Sequence, residues 1–316
     1  MRTFFQHESS QYPPSLSSEE AIYSNTKSDL LTCILETSSE DDSSGFEPIA
    51  PKVYDFIVLD GGALIHSITG SSQKGTNFDA FYERVFFPRV LHDMNRTKRL
   101  DIVWDRYSQF SIKESAKEKR EKSTRKRVDG SAKVPGEWHD FLLNPDNKNE
   151  LFRFLSNMFS SEKIAEDKAV YVTKDEQVLN LGNSSTPMDN FNHEEADTRV
   201  LVHLLHSLES GCLGLVQTGD TDVVVILLAH FHTMTVVNPE ANIWVQFKVG
   251  KSKKLISINQ VASNLGLQVC KSLPFFHALT GCDTTSSFKY KGKRSCWKLL
   301  QEDQTFVEGF ASIMHL

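Results

Sequence analysis

Seven carboxylates stand where apolar runs end: Asp60 in VYDFIVLDGG, Asp105 in LDIVWD, Glu195 and Asp197 in HEEADTR, Asp220 and Asp222 in TGDTDVVVILL, and Asp283 in LTGCDTTSS. An unpaired buried carboxylate is costly, so each acid must be hydrated, paired or bound to a cation. A pair of divalent cations meets that need for all of them, and hard oxygen ligands suit Mg²⁺ or Mn²⁺. Two such ions a few ångströms apart form the machinery for in-line attack on a phosphodiester. Any single strand-terminal aspartate also serves as a helix cap or turn former. The expectation of a metal centre rests on the recurrence of the pattern at five separated places.

Two basic segments accompany the acids. Residues 106–127, RYSQFSIKESAKEKREKSTRKR, follow Asp105 directly, and Lys113, Lys117 and Arg120 fall at i, i+4 and i+7, one face of a helix. A cationic helix beside a metal site would grip phosphates; charge alone also suits a solvated helix or a nuclear-localisation run. The second segment is SSFKYKGKRSCWKLL, in which Lys291, Gly292 and Lys293 precede an apolar-periodic helix. Backbone amides at a glycine turn before a helix hold a phosphate without reading bases.

These residues need a scaffold that gathers them. VYDFIVLD, LDIVWD, AVYVT and LGLVQTGD read as strands, and MTVVN, IWVQF and KKLISI as β-type runs. Between them, FDAFYERVFF, NELFRFLSNMF, EEADTRVLVHLLHSL, INQVASNLG and VCKSLPFFHALTG carry helical spacing. The alternation predicts an α/β domain with a mostly parallel sheet flanked by helices, whose ligands sit at the carboxyl ends of the strands. Within HEEADTR, a helix regular from its first residue sets Glu194 with Asp197 on the apolar stripe. A helix beginning near Asp197 leaves Glu195 in the preceding turn, free to converge with it; periodicity leaves both open.

The formal charge of −6 is uneven, since residues 1–50 hold nine acids against two basic residues, together with eleven serines. This predicts a disordered, acidic, Ser-rich leader over 1–50, with DLLTCIL at 29–35 a docking segment or an isolated helix. No apolar stretch suits a secretory signal or a membrane span. Five scattered cysteines without a CxxC pair suggest neither zinc nor a disulfide framework, and an intracellular setting follows, a nuclear one resting on the basic run alone.

The order DGG, VWD with its basic segment, EAD, GDTD, and GCD with S…KGK resembles the flap endonuclease and 5′ exonuclease family of structure-specific nucleases, within the PIN-like fold, over about residues 50–300. It is also similar to a group of uncharacterised animal proteins with HEEADTR, GDTDVV and FHALTGCDTTS motifs. The resemblance implies a PIN-like nuclease domain over 51–283 and the start of a helix-two-turn-helix DNA-binding region over 284–316. It implies that Asp60, Asp105, Glu195, Asp197, Asp220, Asp222 and Asp283 hold two Mg²⁺ or Mn²⁺ ions, and favours Glu195 over Glu194. Lys113 and Arg120 would act on the scissile phosphate, and His66 would stack on DNA. Lys117, Lys291, Gly292 and Lys293 would bind the nucleic-acid backbone. Asp197 shortens the ligand that the family supplies as glutamate. The expected activity is divalent-metal-dependent hydrolysis of DNA, with a PIN-type ribonuclease or a non-cleaving nucleic-acid-binding module as alternatives.

Overall fold

The computed structural model describes residues 13, 15–18, 21–40, 50–68, 76–106, 124–182, 186–248, 253–283 and 285–313. In chain order, α1 (Ser28–Glu40) precedes β1 (Tyr54–Asp60) and α2 (Gly61–Ser67). Next come α3 (Phe78–Phe81), a π-helical segment (Tyr82–Phe86), α4 (Phe87–Met94) and β2 (Thr97–Val103). Then follow α5 (Trp138–Leu143), α6 (Pro145–Ser160), β3 (Ala169–Lys174), β4 (Gln177–Gly182), α7 (Ala196–Leu208) and β5 (Leu213–Thr218). The chain continues through α8 (Thr221–Ala229), α9 (Phe231–Val237), β6 (Asn242–Phe247), β7 (Lys254–Ser257), α10 (Ile258–Leu265), α11 (Leu267–Leu279), α12 (Lys293–Glu302) and α13 (Gln304–Ile313). No helix among the described residues is long and apolar enough to cross a membrane.

The chain forms two compact units: 49–220 with 234–257, and 1–48 with 221–233 and 258–316. This division differs from the linear one expected at residues 50 and 283. Residues 28–40 also depart from the disordered leader expected of them. They are helical, with Leu30, Leu31, Cys33 and Ile34 buried. The physical reason is local: DLLTCIL sets an apolar stripe at helical spacing, and that stripe outweighs the polar composition around it.

The first unit is built on a seven-stranded sheet of order β4-β3-β2-β1-β5-β6-β7, parallel through its five inner strands and antiparallel at both edge pairs. Side chains alternate between its faces. Ile57, Leu59, Leu100, Ile102, Val170 and Val172 point into a core completed by Phe78, Phe81, Phe86, Trp138, Phe141 and Phe152 from the helices between β1 and β3. On the other face lies α7, packed on β1, β2 and β5. There, buried Asp101 on β2 receives the Arg99 guanidinium through both oxygens at 2.8 Å and the His203 Nδ1 of α7 at 2.7 Å. Burial alone would raise the Asp101 pKa, but Arg99 and His203 hold it below the ordinary carboxylate value.

The strand order reverses at β1, whose neighbours are β2 on one side and β5 on the other. In doubly wound sheets that switch point, at the carboxyl edge, is where ligands bind. The β1–β5 register pairs Leu59 with Gln217, which brings Asp60 level with Thr218; β1–β2 pairs Asp60 with Val103. MTVVN, expected as a β-type run, lies instead in α9 and the residue after it.

The second unit is helical. Within it α11 packs on α8, α10 and α13, while α1 packs on α8, α10 and α12. Trp297 on α12 is buried and donates its indole N–H to Thr37 at 3.0 Å, tying α12 to α1.

Candidate metal centre

Asp60 closes β1 and caps α2. One oxygen accepts the Ala63 N–H at 2.9 Å and the other the Thr218 hydroxyl at 2.7 Å. Gly61 lets the Trp104 ring pack against the backbone here, because a Cβ at that position would stand 2.2 Å from the ring. A Cβ on Gly62 would lie 3.3 Å from an Asp60 oxygen and 3.4 Å from an Asp105 oxygen, so both carboxylates border the space beside Gly62. Burial, with the negative charges of Asp105 and Asp220 beside it, pushes the Asp60 carboxyl up to about 6 against the pull of its two hydrogen bonds.

Asp105 lies two residues past β2 and accepts the Ala196 N–H at 2.9 Å, capping α7 from a distant part of the chain. Glu195 is the N-cap residue of α7, extended at φ −90° and ψ 138°, and its side chain is exposed. The helix therefore starts after Glu195, which places that residue in the preceding turn. Asp197 sits in the first turn of α7, and one of its oxygens comes within 4.8 Å of one from Asp220. Asp220 follows β5, and its N–H donates to the Thr218 hydroxyl at 3.1 Å. Asp60, Asp105, Asp197 and Asp220 thus meet at the carboxyl edge, where the sheet topology would carry them.

Arg199 holds this arrangement, a residue the sequence reading passed over although HEEADTR contains it. Its guanidinium is buried and donates to the carbonyls of His193 at 2.9 Å, of Trp104 at 2.8 Å and of Asp175. The loop before α7, the residue before Asp105 and the β3–β4 turn are therefore held by one side chain. Burial pushes its pKa down to about 10.

The helical unit gathers the other two acids. Asp222 opens α8 and takes the His277 Nε2 on one oxygen at 2.7 Å and the Lys27 ammonium on the other at 2.7 Å. The same ammonium reaches Asp283 at 3.0 Å. Burial would raise the Asp222 pKa, yet the bonds from His277 and Lys27 hold it below the ordinary value.

Lys293 departs from expectation. It is 1% exposed, with its ammonium bonded to the His277 Nδ1 at 3.1 Å, the His277 carbonyl at 3.1 Å and the Thr280 hydroxyl at 2.9 Å. A residue so enclosed does not reach a nucleic-acid backbone. The reason is that α11 offers three acceptors at the start of α12, and burial among them pushes the amine down to about 8. Lys291 is exposed, and Gly292 is the N-cap of α12, as a backbone phosphate contact would need. Lys293→Met is expected to cost about 1–3 kcal/mol by stranding buried acceptors, whereas Lys291→Ala should leave stability within about 0.5 kcal/mol, both read from urea midpoints. His66 is exposed in the last turn of α2. Lys113, Lys117 and Arg120 lie outside the described residues.

No protein-family model matches this chain, and no curated protein does either.

Proposed function

We propose that this chain is a divalent-metal-dependent phosphodiesterase acting on DNA, with a PIN-like fold and the character of a structure-specific 5′ nuclease. The observation that supports this reading is the meeting of Asp60, Asp105, Asp197 and Asp220 at the switch point of the sheet. The donor set is all carboxylate oxygen, which suits Mg²⁺ or Mn²⁺, and the Asp60 pKa is raised first by burial and further by the negative charges of Asp105 and Asp220, which a cation would offset. A divalent cation there supplies neutralisation of the phosphate and acidification of an attacking water.

The chain's own groups position that chemistry. The Ala63 amide and the Thr218 hydroxyl fix both oxygens of Asp60, and the Ala196 amide fixes one of Asp105. Glu195 and Asp197 flank the start of α7. In this reading Lys113 and Arg120 stabilise charge developing on the scissile phosphate. Lys117, Lys291 and His66 face the nucleic-acid strand, and residues from 284 onward supply duplex contacts.

The testing experiment incubates purified protein with labelled flap, nicked and single-stranded DNA and with RNA, in Mg²⁺, Mn²⁺ or EDTA. Cleavage of DNA with either cation and none in EDTA is expected. Preference for RNA would favour the PIN-type ribonuclease. Salt-dependent binding without cleavage would favour the non-cleaving module. Lys113→Ala with Arg120→Ala should slow cleavage strongly and flatten the salt dependence of binding by up to about two counterions.

A further inference from the structure

Two glutamines stand on the core face of the sheet where apolar residues would be expected. The β1–β5 register sets Leu59 beside Gln217, and the β5–β6 register sets Gln217 beside Gln246. Leu59 belongs to the hydrophobic core, so both glutamines face that side at the carboxyl end of the sheet, and both are buried. The Gln217 Oε1 accepts from the Arg89 guanidinium of α4 at 3.0 Å and from the Gln246 amide at 3.4 Å. These two donors fix that atom as the oxygen, so Nε2 carries two N–H groups, and it has no hydrogen-bond partner among the described residues. A buried donor left in this state calls for an explanation.

Gln217 borders a cleft of about 40 Å³, together with Leu64, Arg89, Gln246 and Lys248, and the cleft shares Asp60 with the metal centre. At roughly 10–15 Å³ for each water-sized group, it has room for about three, the number of free oxygens on a phosphate. Its charge is net positive. Arg89 and Arg96 share the single carboxylate of Asp93, at 2.6 and 3.3 Å, which leaves one positive charge. Lys248 adds a second, since it is exposed and makes no ion pair among the described residues. Asp60 offsets one of the two, and both its oxygens are already committed to Ala63 and Thr218. Lys248 is held at this rim by its backbone, at a φ of 62° that side-chain-bearing residues rarely take, with its amide donating to the Thr218 carbonyl at 2.8 Å.

We propose that this cleft is a phosphate subsite, in which Gln217, Arg89 and Lys248 hold a phosphate of the nucleic-acid strand next to the one at the metal centre. The inference rests on the reading of that centre as a nucleic-acid site and adds a backbone contact to it. Gln217 donates its two unused N–H groups, Lys248 supplies the charge, and Arg89 fixes the glutamine while adding its own. A phosphate contact of this kind sets the register of the strand and carries no base preference.

The test measures binding of labelled single-stranded DNA to the full chain by fluorescence anisotropy in EDTA, over a series of salt concentrations, alongside a calorimetric titration with inorganic phosphate. Gln217→Glu keeps an acceptor for Arg89 and Gln246 but presents a carboxylate where the amide donated. It should weaken DNA binding about tenfold or more, the scale of a lost charge-assisted hydrogen bond. Lys248→Gln keeps the stem and should lower the salt slope by about one. Equal DNA affinity and equal slope in the parent and both variants, each folded by its urea midpoint, overturns the proposal. Loss of inorganic phosphate binding with DNA binding unchanged assigns the cleft to a free phosphate and overturns it as well. Weaker DNA binding in both variants, with no cleavage by the parent in Mg²⁺ or Mn²⁺, supports the subsite and overturns the nuclease reading instead.

Discussion

Asp60→Asn is expected to abolish cleavage, by on the order of a thousandfold or more, while making the metal-free protein more stable at neutral pH. The two effects have one cause. Asp60 is buried beside Asp105 and Asp220, and its carboxyl titrates near 6 rather than at the ordinary 3.8. That difference corresponds to about 3 kcal/mol against the charged form at pH 7. The folded pKa lies above the unfolded one, so the native state binds the extra proton between them. Stability is therefore highest below pH 3.8 as far as this group is concerned, and is lost as pH rises through about 6. Asparagine keeps an acceptor for the Ala63 amide and removes the charge, so this loss disappears. Urea titrations in EDTA from pH 5 to 8 should show the parent weakening with pH and the variant holding level. Added Mg²⁺ should raise the parent's midpoint and leave the variant's unchanged, since ligand binding to the native state alone is what stabilises. A variant that is less stable than the parent throughout would show that Asp60 is a structural cap.

Asp101→Ala is expected to cost about 3–5 kcal/mol, the usual penalty for breaking a buried ion pair from one side. Arg99 is 6% exposed and would keep its charge with no acid beside it, and His203 would lose its acceptor. His203→Ala should cost less, because the bidentate Arg99–Asp101 pair survives it. The pH dependence runs opposite to that of Asp60. The Asp101 pKa is depressed, so its contribution is present above the ordinary carboxylate value and lost as pH falls. Burial also depresses His203, so the native state keeps that ring neutral and loses stability as the unfolded chain protonates on acidification. Asp101→Ala should flatten the acid limb of an unfolding profile. An unchanged acid limb would show that other groups govern it.

The inner strands were readable as short, largely apolar runs, three of them (β1, β2 and β5) ending in an acid or followed by one within two residues, and a buried parallel strand needs little more. β4 escaped notice because QVLNLG is an edge strand with half-exposed, mixed residues and no clear period. Composition misled over the leader, where serines and acids surround the few apolar residues that build α1. MTVVN shows β-type residues overridden by tertiary context. Strand-terminal placement pointed to Asp60, Asp105 and Asp220, which lie at the carboxyl edge of the sheet, while Asp197 comes to Asp220 from the first turn of α7. The roles of Lys293 and Arg199 depend instead on acceptors that other segments bring from far along the chain, which no local spacing encodes.

The triple grip of Arg199 has a consequence for how this chain tolerates change. Its three acceptors are main-chain carbonyls, which every amino acid supplies, so the bonds make no demand on the side chains at 104, 175 or 193. The specification for three segments is thereby concentrated in a single codon. Lysine cannot take over, since one ammonium lacks the planar fork that reaches three diverging carbonyls. The loop before α7 can therefore drift in sequence and still deliver Asp197 to the same edge, provided that position 199 stays arginine.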